Sequence, residues 1–173
     1  MSQHLLVIER LLAENDISAG YLSATDEFPM AQLQLDFSAT EEEDNSLSLQ
    51  ICHIPVPESP VFILQFFIQL PLPPPFKPDA AVPEFLVGGL QKYIACLNQM
   101  LPIVGFNSSQ QDLYFRSSLV LEEYSGTQII YYLELLHHLL VTCLPSLQSV
   151  AIGLEDADEA IQKLPQLFAL REA

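Results

Sequence analysis

The chain has 173 residues, half of them apolar and 16% charged, and carries 22 acidic against 6 basic side chains for a net charge of −16. Its length predicts one domain, 1–173, with a real core, since a chain of this size buries roughly two-thirds of its unfolded surface. Disorder is excluded by the apolar content. Nucleic acid and anionic membrane surfaces are poor partners, because Arg10, Lys77, Lys92, Arg116, Lys163 and Arg171 are scattered singly where such partners require clustered cations.

The acidity keeps the chain soluble and, where it steers association, favours a basic protein or peptide. Cys52, Cys96 and Cys143 are odd in number and far apart, with no C-x-x-C pair and no zinc spacing. No basic stretch followed by an apolar core and a cleavage site opens the sequence. The longest apolar run, Val61 to Leu72, is broken by Gln65 and Gln69 and is too short to span a bilayer. Buried thiols in a reducing cytoplasm, with no membrane association, are the expectation.

Ser2 to Glu14 has a broad apolar face at helical spacing, ended by Asn15-Asp16, and Ile17 to Pro29 reads as an irregular link. Gln32 to Phe37 alternates, with Leu33, Leu35 and Phe37 on one face, and predicts a half-buried strand. Glu41, Glu42, Glu43 and Asp44 then form a hairpin loop. They lack the alternation, mid-loop glycine and distal glutamate of a calcium loop, so a solvated turn is expected.

Leu47 to Ile54 is a second strand, and Val61 to Leu70 a third and central one, apolar throughout on one face. Pro71 to Pro78 predicts a stiff polyproline spacer, although Pro71 and Pro74 also satisfy the spacing read by SH3-type domains. Pro83 and Glu84 suit the first turn of a second helix with Leu86, Leu90, Tyr93, Ile94, Leu97 and Leu101 on one face. Gly88-Gly89 within it marks close packing or a bend. No strand feeds these glycines and no G-K-[ST] follows, as a phosphate loop would need.

Pro102 stops that helix. Ile103 to Phe106 and Leu113 to Leu121 predict strands four and five. Ser125, with Gln128 three residues on, makes a capping box for a third helix reaching about Leu144, where Pro145 ends or kinks it. Glu155, Asp156, Asp158 and Glu159 sit where a fourth helix would begin and complement its dipole. The fold class is thus α+β, a five-stranded antiparallel sheet with helices packed on it, in the order α-β-β-β-α-β-β-α(-α).

The third helix has two apolar stripes. Ile129, Leu133, Leu136, Leu140 and Leu144 face the sheet, while Tyr132, Leu135 and Leu139 form a second flank. That flank calls for cover by the fourth helix, or by a second subunit or partner. Glu134 and His138 are one turn apart, which suits a surface ion pair better than a metal site lacking a third ligand. His137 belongs at the edge of the core stripe as a partly buried histidine, His53 lies near a strand end with no evident partner, and His4 is terminal. No nucleophile elbow, zincin motif or Walker loop is present, so no catalytic residue, metal ligand or cofactor is expected.

The element order resembles that of the YbjN-type family of bacterial sensory-transduction regulators, itself similar in fold to the class I chaperones of type III secretion. The residues carrying the resemblance are Leu97-Asn98, Pro102 to Phe106, Leu113 to Arg116, Leu119 to Leu121 and the long helix from Ser125, within roughly Val61 to Leu147. It implies a twisted antiparallel sheet, commonly a dimer, and no enzymatic activity. The expectation is a cytoplasmic, non-enzymatic, chaperone-like or regulatory protein-binding homodimer, with Tyr132, Leu135 and Leu139 as interface and a basic protein or peptide as a further partner. The rival is a small-molecule or metal-binding enzyme with a site assembled from loop residues.

Overall fold

The computed structural model describes residues 3–26, 29–38, 46–70, 84–101, 103–108 and 113–168. The acidic loop Glu41–Asp44, the proline connector Pro71–Pro78, and Pro83 and Pro102 lie outside the described residues. The elements run α1 (Gln3–Ala13), β1 (Gly20–Leu22), β2 (Gln32–Ser38), β3 (Ser46–Ile54), β4 (Phe62–Leu70), α2 (Glu84–Met100), β5 (Val104–Ser108), β6 (Leu113–Leu121), α3 (Gly126–Ala151) and α4 (Ala157–Leu167). The class is α+β, and the sheet has six strands in the order β1-β2-β3-β4-β6-β5. The described chain divides into two compact units: Met1–Gln69 with Arg116–His138, and Leu70–Phe115 with Leu139–Ala173.

The sixth strand corrects the expected five. β1 lies inside the stretch Ile17 to Pro29 and pairs antiparallel with β2, Tyr21 opposite Leu33. Three residues are too few for an alternating pattern to register, so this strand is specified by its neighbour's open edge and not by its own periodicity.

In the first unit the register of β2, β3 and β4 follows from alternation. Leu33 pairs with Ile51 and Ile51 with Phe66, while Leu35 pairs with Leu49 and Leu49 with Ile68. Each row is buried. A slip of one residue would exchange these rows for Gln34, Gln50 and Gln65, which fixes the pairing strongly. Leu5, Ile8 and Leu12 put the fully buried face of α1 against β1, β2 and β3. The Asn15 amide donates to the Leu11 carbonyl at 2.8 Å and Asp16 turns to φ +60°, ending the helix where the sequence suggests.

In the second unit α2 buries Leu90, Tyr93, Ile94 and Leu97 and packs on β5 and α4. A Cβ at Gly89 would lie 3.4 Å from that of Ala157, an ordinary van der Waals contact, and Gly88 faces open space, so neither glycine is required by a tight approach. Asp156 caps α4 by accepting from the amides of Asp158 at 2.9 Å and Glu159 at 3.4 Å. Glu155 pairs with Lys163, and Asp158 with Lys92. The acidic cluster is therefore a helix start, as its position suggests.

The third helix runs past its expected end near Leu144, continuing through Pro145 to Ala151. Proline in a helix interior costs about 3 kcal/mol. Two features offset it. Pro145 and Val141, whose carbonyl loses its partner, are both exposed, and the added turns bury Leu147, Val150 and Ala151. By length and composition α3 is also the one described helix able to cross a membrane. A core helix passes the same test, and the expected stripe Ile129, Leu133, Leu136, Leu140 and Leu144 is buried throughout.

Asn98 holds the end of α2 to β5. Its amide nitrogen donates to the Phe106 carbonyl at 2.7 Å, and its oxygen accepts from the Phe106 amide at 2.8 Å. Phe106 is fully buried. Removing the side chain strands two backbone groups, each worth about 1–3 kcal/mol when unsatisfied. Asn98→Ala is expected to lower stability by about 2–4 kcal/mol in urea denaturation, and Asn98→Asp, which keeps only the acceptor, to recover only part of that loss.

Candidate functional site

The site is a groove in the first unit, built by the end of β6 and the start of α3. Ser125 opens α3, its hydroxyl accepting from the Gln128 amide at 3.3 Å. Two helical turns later Tyr132 anchors the helix to the strand. Its ring packs on Phe66 with centroids 5.2 Å apart, and its hydroxyl donates to the Ser118 carbonyl at 2.9 Å while bonded to the Ser117 hydroxyl. Since the phenol proton goes to the carbonyl, Ser117 is the donor in the second bond. Ser117 is buried, so this is its satisfied state. Burial pushes the Tyr132 phenol up, with the Ser117 bond opposing.

Tying Tyr132 down turns its neighbours outward. Tyr131 is 67% exposed, Leu135 39% and Val120 59%. With Leu119, Leu121, Gln128 and Tyr132 they line an open trough of about 350 Å³. A second depression of about 610 Å³ shares Val120, Leu121 and Gln128 with it and adds Pro60, Glu122 and Glu123. The two adjoin at these shared residues, and we treat them as one groove, lined mostly by apolar side chains on one side and carrying Glu122 and Glu123 on the other.

Of the three flank residues singled out in the sequence, Tyr132 and Leu135 line the trough, and Leu139 is 7% exposed. Sequence reasoning missed Tyr131 and Val120. Val120 shares its strand face with the polar Ser118 and Glu122, and of the residues one turn from Tyr131 only Leu135 is apolar, beside Thr127, Gln128 and Glu134, so neither registers as part of a stripe. The only signal available was the length of β6, which brings Val120 to the strand end beside the capped start of α3.

Among the described residues, nothing compensates the charge at the acidic end. Among the described residues Glu122 and Glu123 form no ion pair. The four described cations are engaged elsewhere: Arg10 with Glu14 at 3.0 Å, Lys92 with Asp158, Lys163 with Glu155, and Arg116 with the Gln65 side-chain oxygen at 2.8 and 3.0 Å.

A second cluster surrounds His4. Its ring stacks on His53 at 4.2 Å with planes 8° apart, and lies 5.6 Å from Tyr124 and 6.4 Å from Phe62. His53 Nε2 and the Tyr124 hydroxyl are buried there without a hydrogen-bond partner among the described residues. The 49-residue gap between the two histidines hides this pairing from any local sequence pattern. Glu134 and His138 do not form the expected ion pair. Both are exposed, and a surface pair on a helix gains only about 0.3–0.5 kcal/mol. His137 is exposed, not part-buried as its position suggests, and meets the edge of Phe37 at 5.3 Å.

All three cysteines are free thiols. Burial pushes Cys52 up and Cys143 up to about 12, which holds both in the unreactive thiol form. Among the described residues no group of three or more His, Cys, Asp or Glu is placed to hold a metal ion.

No protein-family model, curated protein or solved structure matches the chain.

His53, in the second cluster, gives the stability of the fold a pH dependence. Burial, and then the facing His4 ring, hold its imidazole below the ordinary 6.5. The unfolded chain therefore binds this proton more readily than the folded one. The stability carried by neutral His53 is complete above about pH 6.5 and is lost as pH falls through the lower folded value. The urea midpoint is expected to fall between about pH 7.5 and about pH 5, and His53→Phe, which keeps a ring and removes the proton site, to show a shallower fall.

Proposed function

We propose that this chain is a non-enzymatic protein-binding module, chaperone-like or regulatory, whose contact surface is the groove beside Tyr132. The observation that carries this is the exposed apolar face of Val120, Tyr131 and Leu135 on two rigid elements. Exposed tyrosine and leucine grouped in a trough are the composition of a contact surface, since aromatic side chains supply much buried area with few rotors to freeze. The rim is polar and acidic, which keeps the face soluble when unoccupied.

The occupant is another polypeptide, either a sibling copy, as in the expected homodimer, or a client. The finer assignment belongs to the same proposal: a single YbjN-type, secretion-chaperone-like domain working in the cytoplasm. Element order from α1 to α4 supports it, with β1 as an addition to the plain pattern.

Leu135→Asp places a charge in the trough without touching the buried stripe. It is expected to leave the melting temperature within a few degrees of the parent, since surface substitutions shift stability by about 0.5 kcal/mol or less. It is also expected to abolish capture of specific partners from the native cell, and any self-association seen by light scattering. Identical partner sets and identical mass for the two proteins would remove the basis of the proposal.

A further inference from the structure

We infer that the groove takes a cationic, apolar segment of a different protein, its apolar side chain seated between Val120, Tyr131 and Leu135 and its lysine or arginine against Glu122 and Glu123. This rests on the protein-binding reading above and deepens it by naming the chemistry of the occupant. Three observations carry it. The apolar trough and the acidic depression adjoin, since both are lined by Val120, Leu121 and Gln128. The two glutamates have no ion-pair partner among the described residues, and every described cation is committed elsewhere. The chain carries −16, so a second copy would bring the same glutamates to the same contact.

The third observation decides between occupants. Like charges brought together across an interface oppose association, whereas a cation there raises both the encounter rate and the specificity. Spacing sets the size of the segment. Leu119 and Glu123 are four residues apart, at most about 14 Å along the backbone. A segment with its apolar residue and its cation about three or four residues apart in extended form therefore reaches both ends. A purely apolar segment would use half the groove and leave the acids facing one another in a less polar surrounding.

The test is selection from a phage-displayed library of random heptapeptides on three immobilised full-length proteins: the parent, the Glu122→Gln/Glu123→Gln double variant and Leu135→Asp. The parent is expected to enrich peptides with an apolar residue and a nearby lysine or arginine. The double variant, which still carries −14 (−16 plus 2), is expected to lose the preference for cations while keeping that for apolar residues. A resynthesised parent-selected peptide should bind it at least tenfold more weakly and with less dependence on salt. Leu135→Asp should enrich nothing above background.

Cationic peptides enriched equally by parent and double variant would show general attraction to an acidic protein and overturn the inference. So would enrichment of apolar peptides without cations that is lost in Leu135→Asp, although protein binding at the groove would then stand. A parent dimer seen in sedimentation equilibrium and dissociated by Leu135→Asp would assign the groove to a second copy and likewise overturn it. No enrichment by any of the three, together with unchanged partner capture by Leu135→Asp, would remove both readings.

Discussion

Tyr132 couples the start of α3 to the end of β6, and the exposed surface is arranged around that link. A tyrosine at this position could have turned outward like Tyr131. Instead its ring lies on Phe66 and its hydroxyl is held between Ser117 and the Ser118 carbonyl. An amphipathic side chain with a satisfied polar tip can be half-buried at little cost. The rotation of α3 is thereby fixed, and with it the outward direction of Tyr131 and Leu135. The groove is a consequence of how the helix is pinned.

The apolar character of α3 is accounted for largely by burial. Its core stripe is buried along its whole length, and the turns beyond Pro145 are retained because they too bury apolar side chains. Of its exposed apolar side chains, Tyr131 and Leu135 lie in the trough, next to acids that no described cation neutralises, and Val141 lies beyond it. Stability and the proposed contact draw on different residues of one helix. A substitution at Leu135 can therefore address contact with little effect on the core, while one at Leu136, fully buried, cannot.

Much of the fold was legible because its elements obey simple periods. The alternating strands β2, β3, β4 and β6, the buried stripe of α3, and the caps at Ser125 and Asp156 all follow from spacing and side-chain chemistry. β1 was not, because a three-residue strand borrows its conformation from a neighbour. The passage of α3 through Pro145 was not, because the burial that offsets the proline depends on tertiary partners. Of the site, the flank residues Tyr132 and Leu135 were legible. What sequence could not convey is that Tyr132 is consumed in holding the helix while Tyr131 is left exposed in the trough. That distinction depends on Ser117 and Phe66, 15 and 66 residues distant. The His4–His53 stack was hidden for the same reason, being a contact of remote residues without a motif.

Placing a photo-reactive benzoylphenylalanine at position 131 in the native cell asks the central question directly, because that ring is the most exposed aromatic of the trough. A groove built for a polypeptide should yield one or a few discrete cross-linked protein adducts, lost when Leu135→Asp is added. Irradiation that gives no discrete adduct at 131, or the same adducts with and without Leu135→Asp, would contradict a protein-binding role for this surface.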